Sequence, residues 1–276
     1  MRGRFLNKLP AAETARIFRT SDFWRLAVLC VVISASFPAR GEEPTIGGSQ
    51  IARPALPGIG ADDPRRRIDP DAAPWRAVGK LQAAPGTFHM SCTGTLIGRD
   101  VVLTAAHCLF NPRTQHFLPP RDFHFLIGYS GERMAGHARG VRYVIAPGYD
   151  PGDPMTRGAD WALLTIDQPL GDDDRILPLL GHAPLPGARA MLGGYSEDHR
   201  YILTADSDCR ILGFATDPAG RRLIHHDCTA SRGVSGAPLL LEEDGKWQVA
   251  GVEVMAEMGK AEGYAVTLDA VRKQQR

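Results

Sequence analysis

The sequence predicts an all-β fold, made of barrels or sandwiches. From residue 68 onward, short apolar or alternating runs recur, each bounded by turn residues. No strongly helical stretch separates them, which argues against a layered α/β architecture. The 30 glycines and 21 prolines supply turn chemistry that suits many short strands better than long helices.

The runs follow in order. WRAVGKLQ (75–82) and GTLIGRDVVLTAA (94–106) come first, then FHFLIGY (123–129), VRYVIA (141–146) and WALLTI (161–166). Their β-branched and aromatic residues fit a pleated, half-buried surface. The acidic, Pro-containing stretch DQPLGDDDRILPLLGHAPLPG (167–187) reads as a connection between two halves. Beyond it lie ARAMLGGY (188–195), YILTADSDCRIL (201–212), RRLIHH (221–226), APLLLEE (237–243), WQVAGVEVM (247–255) and YAVTL (264–268). The tail LDAVRKQQR predicts a short terminal helix, and no internal repeat is visible.

The amino terminus has another texture. A basic region precedes LAVLCVVISASF (26–37), which is shorter than the roughly 20 apolar residues of a membrane span. Residues 1–41 therefore read as an export signal, with an uncleaved anchor as the alternative. Residues 42–67 are rich in Pro, Gly, Ala and charge and read as a linker or pro-segment. They end in Arg65–Arg67, a candidate processing site.

Charge and cysteines narrow the function classes. Lys plus Arg is 32 against 31 for Asp plus Glu, so nothing in bulk charge favours nucleic acid. Cys30 would leave with the signal, and four cysteines remain. Their spacing suggests Cys92–Cys108 and Cys209–Cys228 disulfides in an oxidising compartment, each worth about 3 kcal/mol. Four buried free thiols is the alternative. None forms a C-x-x-C pair, and no acidic cluster has calcium-loop spacing, so no metal is implied.

Three segments carry chemistry: TAAHC with His107, ADWALL with Asp160 and SRGVSGAP with Ser235. A serine hydroxyl needs a base within hydrogen-bond reach to become a nucleophile. An imidazole titrates near neutrality and can take that proton and return it to a leaving group. A carboxylate behind the ring fixes its tautomer. Gly233 and Ser235 flank a tight bend, so their amides are candidate donors to an oxyanion. No cofactor is needed for such a reaction.

Residues 68–270 resemble the chymotrypsin/trypsin-like serine proteases. LTAAHC matches that family over its whole length, DWALL matches its Asp-x-Ala-Leu segment, and GVSGAP matches Gly-x-Ser-Gly-x-Pro. The order His, Asp, Ser is the family's order and not that of α/β-hydrolases. The resemblance implies two six-stranded antiparallel β-barrels, at about 68–175 and 180–270, within a protease domain of residues 68–276. The active site would lie in the cleft between them. It implies a secreted or periplasmic serine endopeptidase with a His107–Asp160–Ser235 triad, an acyl-enzyme intermediate and a Gly233/Ser235 oxyanion hole. Cys92–Cys108 would tie down the histidine loop. The partner implied is a protein or peptide substrate, met by a monomer, with no nucleic acid and no membrane beyond the export signal. A protease-fold binding protein and an esterase on the same triad are the competing functions.

The sequence departs from the family at two places. Val234 stands where most members have an aspartate that pairs with a newly cut amino terminus. Activity is therefore expected without an Ile68 terminus. Thr229 stands at the family's pocket-floor position, so no carboxylate awaits Lys or Arg there. Thr229, Ala230, Val254, Ala256 and Gly263 together suggest a pocket for small or medium uncharged side chains. Glu253 and Glu257 would add negative charge if they faced it.

Overall fold

A computed structural model describes residues 56–274; the expected export signal and most of the expected linker fall outside the described residues. The strands are β1 (Arg66–Arg67), β2 (Val78–Ala83), β3 (Met90–Leu96), β4 (Val101–Thr104), β5 (Phe110–Asn111), β6 (His116–Phe117), β7 (Phe123–Ile127) and β8 (Gly136–Ile145). They continue with β9 (Ala162–Ile166), β10 (Arg189–Gly194), β11 (Thr204–Thr216), β12 (Arg222–His226), β13 (Pro238–Glu243), β14 (Lys246–Ala256) and β15 (Gly263–Thr267). The expected terminal helix is α1 (Asp269–Gln274).

Six strands close the first barrel in the order β2-β3-β4-β9-β8-β7, all antiparallel. Closure removes sheet edges, and Leu81, Leu103, Phe123, Phe125 and Leu164 are buried. The second barrel runs β11-β10-β13-β14-β15-β12, and β12 pairs back to β11. Long β11 can serve both neighbours because its register with β12 shifts between Ile211 and Gly213, where the strand bends. Its apolar interior includes Leu192, Ile211, Ile224 and Leu239, with Cys209, Cys228 and Val234 packed in the same cluster. The two six-stranded antiparallel barrels are those the resemblance implied.

The stretch between β9 and β10 carries the chain across, and Leu180 N–H bonds to Val249 of β14. Residues 56–67 lie along the second barrel. Pro57 bridges Met258, Ala230 N–H donates to Gly58 at 3.1 Å, and β1 pairs with β11. Arg65 is buried, its guanidinium bonded to Asp63, Asp198 and Ser196 Oγ. Composition alone reads this stretch as linker because charge and proline hide one ordered, fully partnered arginine. No described helix is long and apolar enough to cross a membrane.

Candidate active site

Sheet register brings His107 and Asp160 together. On adjacent strands β4 and β9, Thr104 pairs with Ala162. Asp160 lies two residues before Ala162, and His107 lies three after Thr104 on a 3-10 turn, Ala106–Leu109. Both therefore leave the same end of the first barrel. Asp160 Oδ1 accepts the His107 backbone N–H at 2.9 Å, and Oδ2 contacts ring Nδ1 at 2.7 Å. Burial alone would lower the imidazole pKa; the Asp160 charge and hydrogen bond outweigh it, and the net shift is upward. Ala105 and Ala106 are fully buried, so small side chains let the turn seat against the barrel.

Both predicted disulfides are present, Cys92–Cys108 and Cys209–Cys228. Cys92, His107 and Cys108 have potential ligand atoms within 4.8 Å of one another. The disulfide occupies both sulfurs, so this cluster is not a metal centre.

Ser235 comes from the second barrel and meets this end of the first. Its carbonyl accepts Thr93 N–H at 2.9 Å and lies 3.7 Å from Cys108 Sγ, beside His107. Around it, Val234 N–H donates to Ser231, Gly236 N–H to Glu253 and Ala237 N–H to Val234. The amides of Gly233 and Ser235 have no acceptor among the described residues. Gly233 has φ +91°, and a Cβ there would sit 2.4 Å from the Tyr195 carbonyl oxygen. Only glycine fits that turn.

Sequence reasoning missed Thr93, which is fully buried. Its Oγ1 donates to the Gly233 carbonyl at 2.9 Å and accepts Tyr195 N–H at 3.0 Å. It follows Cys92 directly, so the disulfide that holds the histidine turn also holds this support.

A cavity of about 330 Å³ is lined by Ser235, Ser231, Arg232, Glu253, Val254, Met255 and Ala256. Val254 and Ala256, two of the residues expected at a substrate pocket, line this cavity. Thr229 and Ala230 are buried and outside the lining, their N–H groups donating to Asp206 and Gly58. Gly263 is also outside the lining, packed beside Glu253: a Cβ would lie 2.9 Å from Glu253 Oε1 and 2.8 Å from His226 Cε1. Glu253 is 3% exposed and its Oε2 is 2.7 Å from His226 Nε2. A second groove, of about 740 Å³, extends from His107 and Gly233 toward Lys80, Arg200 and Tyr201.

Comparison with known proteins identifies the family and the fold. A family model described as a trypsin-like peptidase domain matches residues 92–252, more than half of the chain. A glutamyl endopeptidase of Bacillus licheniformis is 29% identical over 115 residues, 41% of this chain and 34% of that protein. A trypsin-like protease of Streptomyces glaucescens is 27% identical over 205 residues, 66% of this chain and 73% of that protein. The chain spans about a third of the length of the first curated relatives it matches, 34% and 31%. A solved Glu endopeptidase in complex with MPD superposes with a TM-score of 0.63 at 20% identity, over 79% of this chain and 97% of that one.

Proposed function

From the premise that this chain belongs to the trypsin-like peptidase family, we propose that it is a serine endopeptidase working through an acyl-enzyme. The observation that carries the reading is the pair of hydrogen bonds that Asp160 accepts from His107, beside a loop whose Gly233 and Ser235 amides have no acceptor among the described residues. Asp160 holds the proton on Nδ1, which leaves Nε2 as the base. His107 takes the Ser235 proton as Oγ attacks the scissile carbonyl. The two free amides then receive the oxyanion, each worth about 3 kcal/mol in the transition state. His107 returns the proton to the leaving amine, and water repeats the sequence to release the acid.

Space on both sides of the nucleophile supports an endopeptidase over an enzyme that trims ends. The 330 Å³ cavity lies beside Ser235, and the 740 Å³ groove extends from His107 and Gly233. The glutamyl specificity in one relative's name is not carried over. The acid Glu253 borders the cavity, and the one cationic side chain on its lining, Arg232, is exposed. Two disulfides suit an exported protein, and residues 1–41 are proposed as the export signal.

The test is reaction of the full-length protein with a fluorophosphonate, followed by peptide mass spectrometry. The proposal requires one adduct, on Ser235, lost in Ser235→Ala together with cleavage of a casein substrate. Cleavage that survives Ser235→Ala would remove it.

A further inference from the structure

The groove of about 740 Å³ carries a buried charge that acyl transfer does not use. The 330 Å³ cavity and a third one, of about 280 Å³, share Val254 and Met255 of β14. The groove touches no β14 residue; its walls come from β2, β3 and the turn around Arg200. His107 hands its proton to the leaving amine, so the chain after the cleaved bond departs past that ring. The two β14 cavities then face the acyl half of a substrate, and the groove faces the leaving half.

Lys80 is built into this groove. Successive strand residues point to opposite faces, so Leu81 enters the barrel core while Lys80 and Gln82 turn to the groove. Lys80 pairs with Thr93 across β2 and β3, which sets the two side chains on one face. That face meets the nucleophile loop, since Thr93 Oγ1 donates to the Gly233 carbonyl. Lys80 Nζ donates to the Arg200 carbonyl at 2.8 Å and lies 5.1 Å and 5.7 Å from the ring centroids of Tyr129 and Tyr201. Arg200, Tyr129 and Tyr201 all line the groove, so the ammonium itself, and not only its stem, sits at the wall.

Lys80 is 5% exposed, yet it has no carboxylate partner. The lining holds three such cations, Lys80, Arg200 and Arg232, against one carboxylate, Glu197. None of the three cations is in an ion pair among the described residues. Arg200, Arg232 and Glu197 are exposed, where water and salt screen them, so Lys80 keeps the strongest field. The two ring faces favour its ammonium form. Burial, then the Arg200 charge, pull its pKa below the ordinary 10.5, as expected of a cation without a counter-ion. A lysine used only for packing would carry its head out to bulk water. Here one of the three N–H donors meets an acceptor among the described residues, the Arg200 carbonyl, and two are left for a ligand.

We infer that this groove recognises an acidic side chain, aspartate or glutamate, on the leaving half of the substrate, with Lys80 selecting it and Arg200 and Arg232 adding to the field. The inference rests on the serine-peptidase reading and gives it a substrate class: peptides with an acid shortly after the cleaved bond.

Binding and turnover test it separately. Calorimetric titration of the full-length protein with the peptide amides Ala-Glu-Ala and Ala-Gln-Ala should show affinity at least about tenfold higher for the acidic one. Lys80→Met keeps the stem and should bring that ratio to about 2. Arg200→Gln, at an exposed position, should lower it about twofold and stands in if Lys80→Met does not fold. For turnover, digestion of a mixed peptide library gives a well-cleaved sequence, and kcat/KM is then compared for Glu and Gln at each position after the cut. One position should favour Glu at least about tenfold. Lys80→Met should erase that preference while cleavage of the Gln peptide stays within about threefold, which a merely structural lysine would not produce. Equal affinity of the parent protein for the two amides would overturn the inference, whether or not a variant folds. So would a preference seen only in peptides with a free terminal carboxylate, which would assign the groove to a chain end. Failure of the fluorophosphonate to label Ser235, with the Glu preference in binding intact, would instead remove the peptidase reading and leave the anion groove standing.

Discussion

Asp160→Asn is the sharpest perturbation of the proposed triad, because the structure dictates how the new amide must sit. Asp160 Oδ1 accepts the His107 backbone N–H at 2.9 Å, and a backbone donor cannot change role. The single oxygen of asparagine is therefore committed to that bond. Its NH2 group is left facing His107 Nδ1, where Oδ2 now sits at 2.7 Å. A donor there requires Nδ1 to accept, which moves the proton to Nε2 and removes the base from Ser235. The expected loss is about 10⁴ in kcat, or about 5 kcal/mol of transition-state stabilisation. The assay is kcat/KM as a function of pH, with the fluorophosphonate labelling rate measured in parallel. In the parent, the acid limb should lie above the ordinary imidazole range, since the net pull on His107 is upward. In the variant, that limb should move to lower pH and the plateau should collapse. A variant within tenfold of the parent at neutral pH would refute the reasoning.

Three further outcomes are expected. Thr93→Val keeps the shape but strips partners from the Gly233 carbonyl and Tyr195 N–H, at about 1–3 kcal/mol each; denaturant unfolding should show that loss and labelling of Ser235 should slow, and unchanged values of both would contradict the role. Cys209→Ser with Cys228→Ser opens a loop with a sequence separation of 19, a loss of about 3 kcal/mol and a melting point about 6–12 °C lower by calorimetry; an unchanged melting point would speak against it. Glu253 has a raised folded pKa, so its contribution is fully present below its ordinary value of 4.5 and is lost as pH rises through the folded one. Glu253→Gln should thus gain melting temperature relative to the parent as pH rises above 4.5, and a difference that stays flat with pH would be inconsistent.

Local motifs made the fold and the His107–Asp160 pair legible. LTAAHC, DWALL and GVSGAP each encode a strand end together with the residue that leaves it, so a short window holds both backbone and chemistry. The pairing of β4 with β9 then needs only closure of one barrel to join His107 to Asp160. The wall of the cavity beside Ser235 was less legible because it depends on register between strands far apart in sequence. His226 and Glu253 meet only because both flank β15 at Gly263. The one signal was a glutamate inside the apolar run QVAGVEV, where ordinary strand burial would exclude a charge. Thr93 gave no signal, since a threonine in a strand is unremarkable. Arg65 was hidden by its neighbours: among three consecutive arginines, only its guanidinium is buried, with Asp63 and Asp198 as partners.

That arginine bears on the absence of an aspartate before Ser235. The nucleophile loop is held from four sides without one. Val234 is 2% exposed and packs with Cys209, Cys228 and Ala237, so apolar burial replaces an ion pair. Gly236 N–H donates to Glu253, and Thr93 supports Gly233. Glu197 N–H donates to the Arg232 carbonyl, and its neighbours Ser196 and Asp198 are the groups Arg65 binds. The segment before Ile68 thus braces the loop while still joined to the rest of the chain. Ile68 itself donates its N–H to Leu203, next to the β1–β11 pairing. A cut after Arg67 would create an amine with no carboxylate at position 234 to receive it. It would also sever Arg65 from the body it braces. The physical direction of such a cut is therefore toward a looser loop, the reverse of activation by a new terminus.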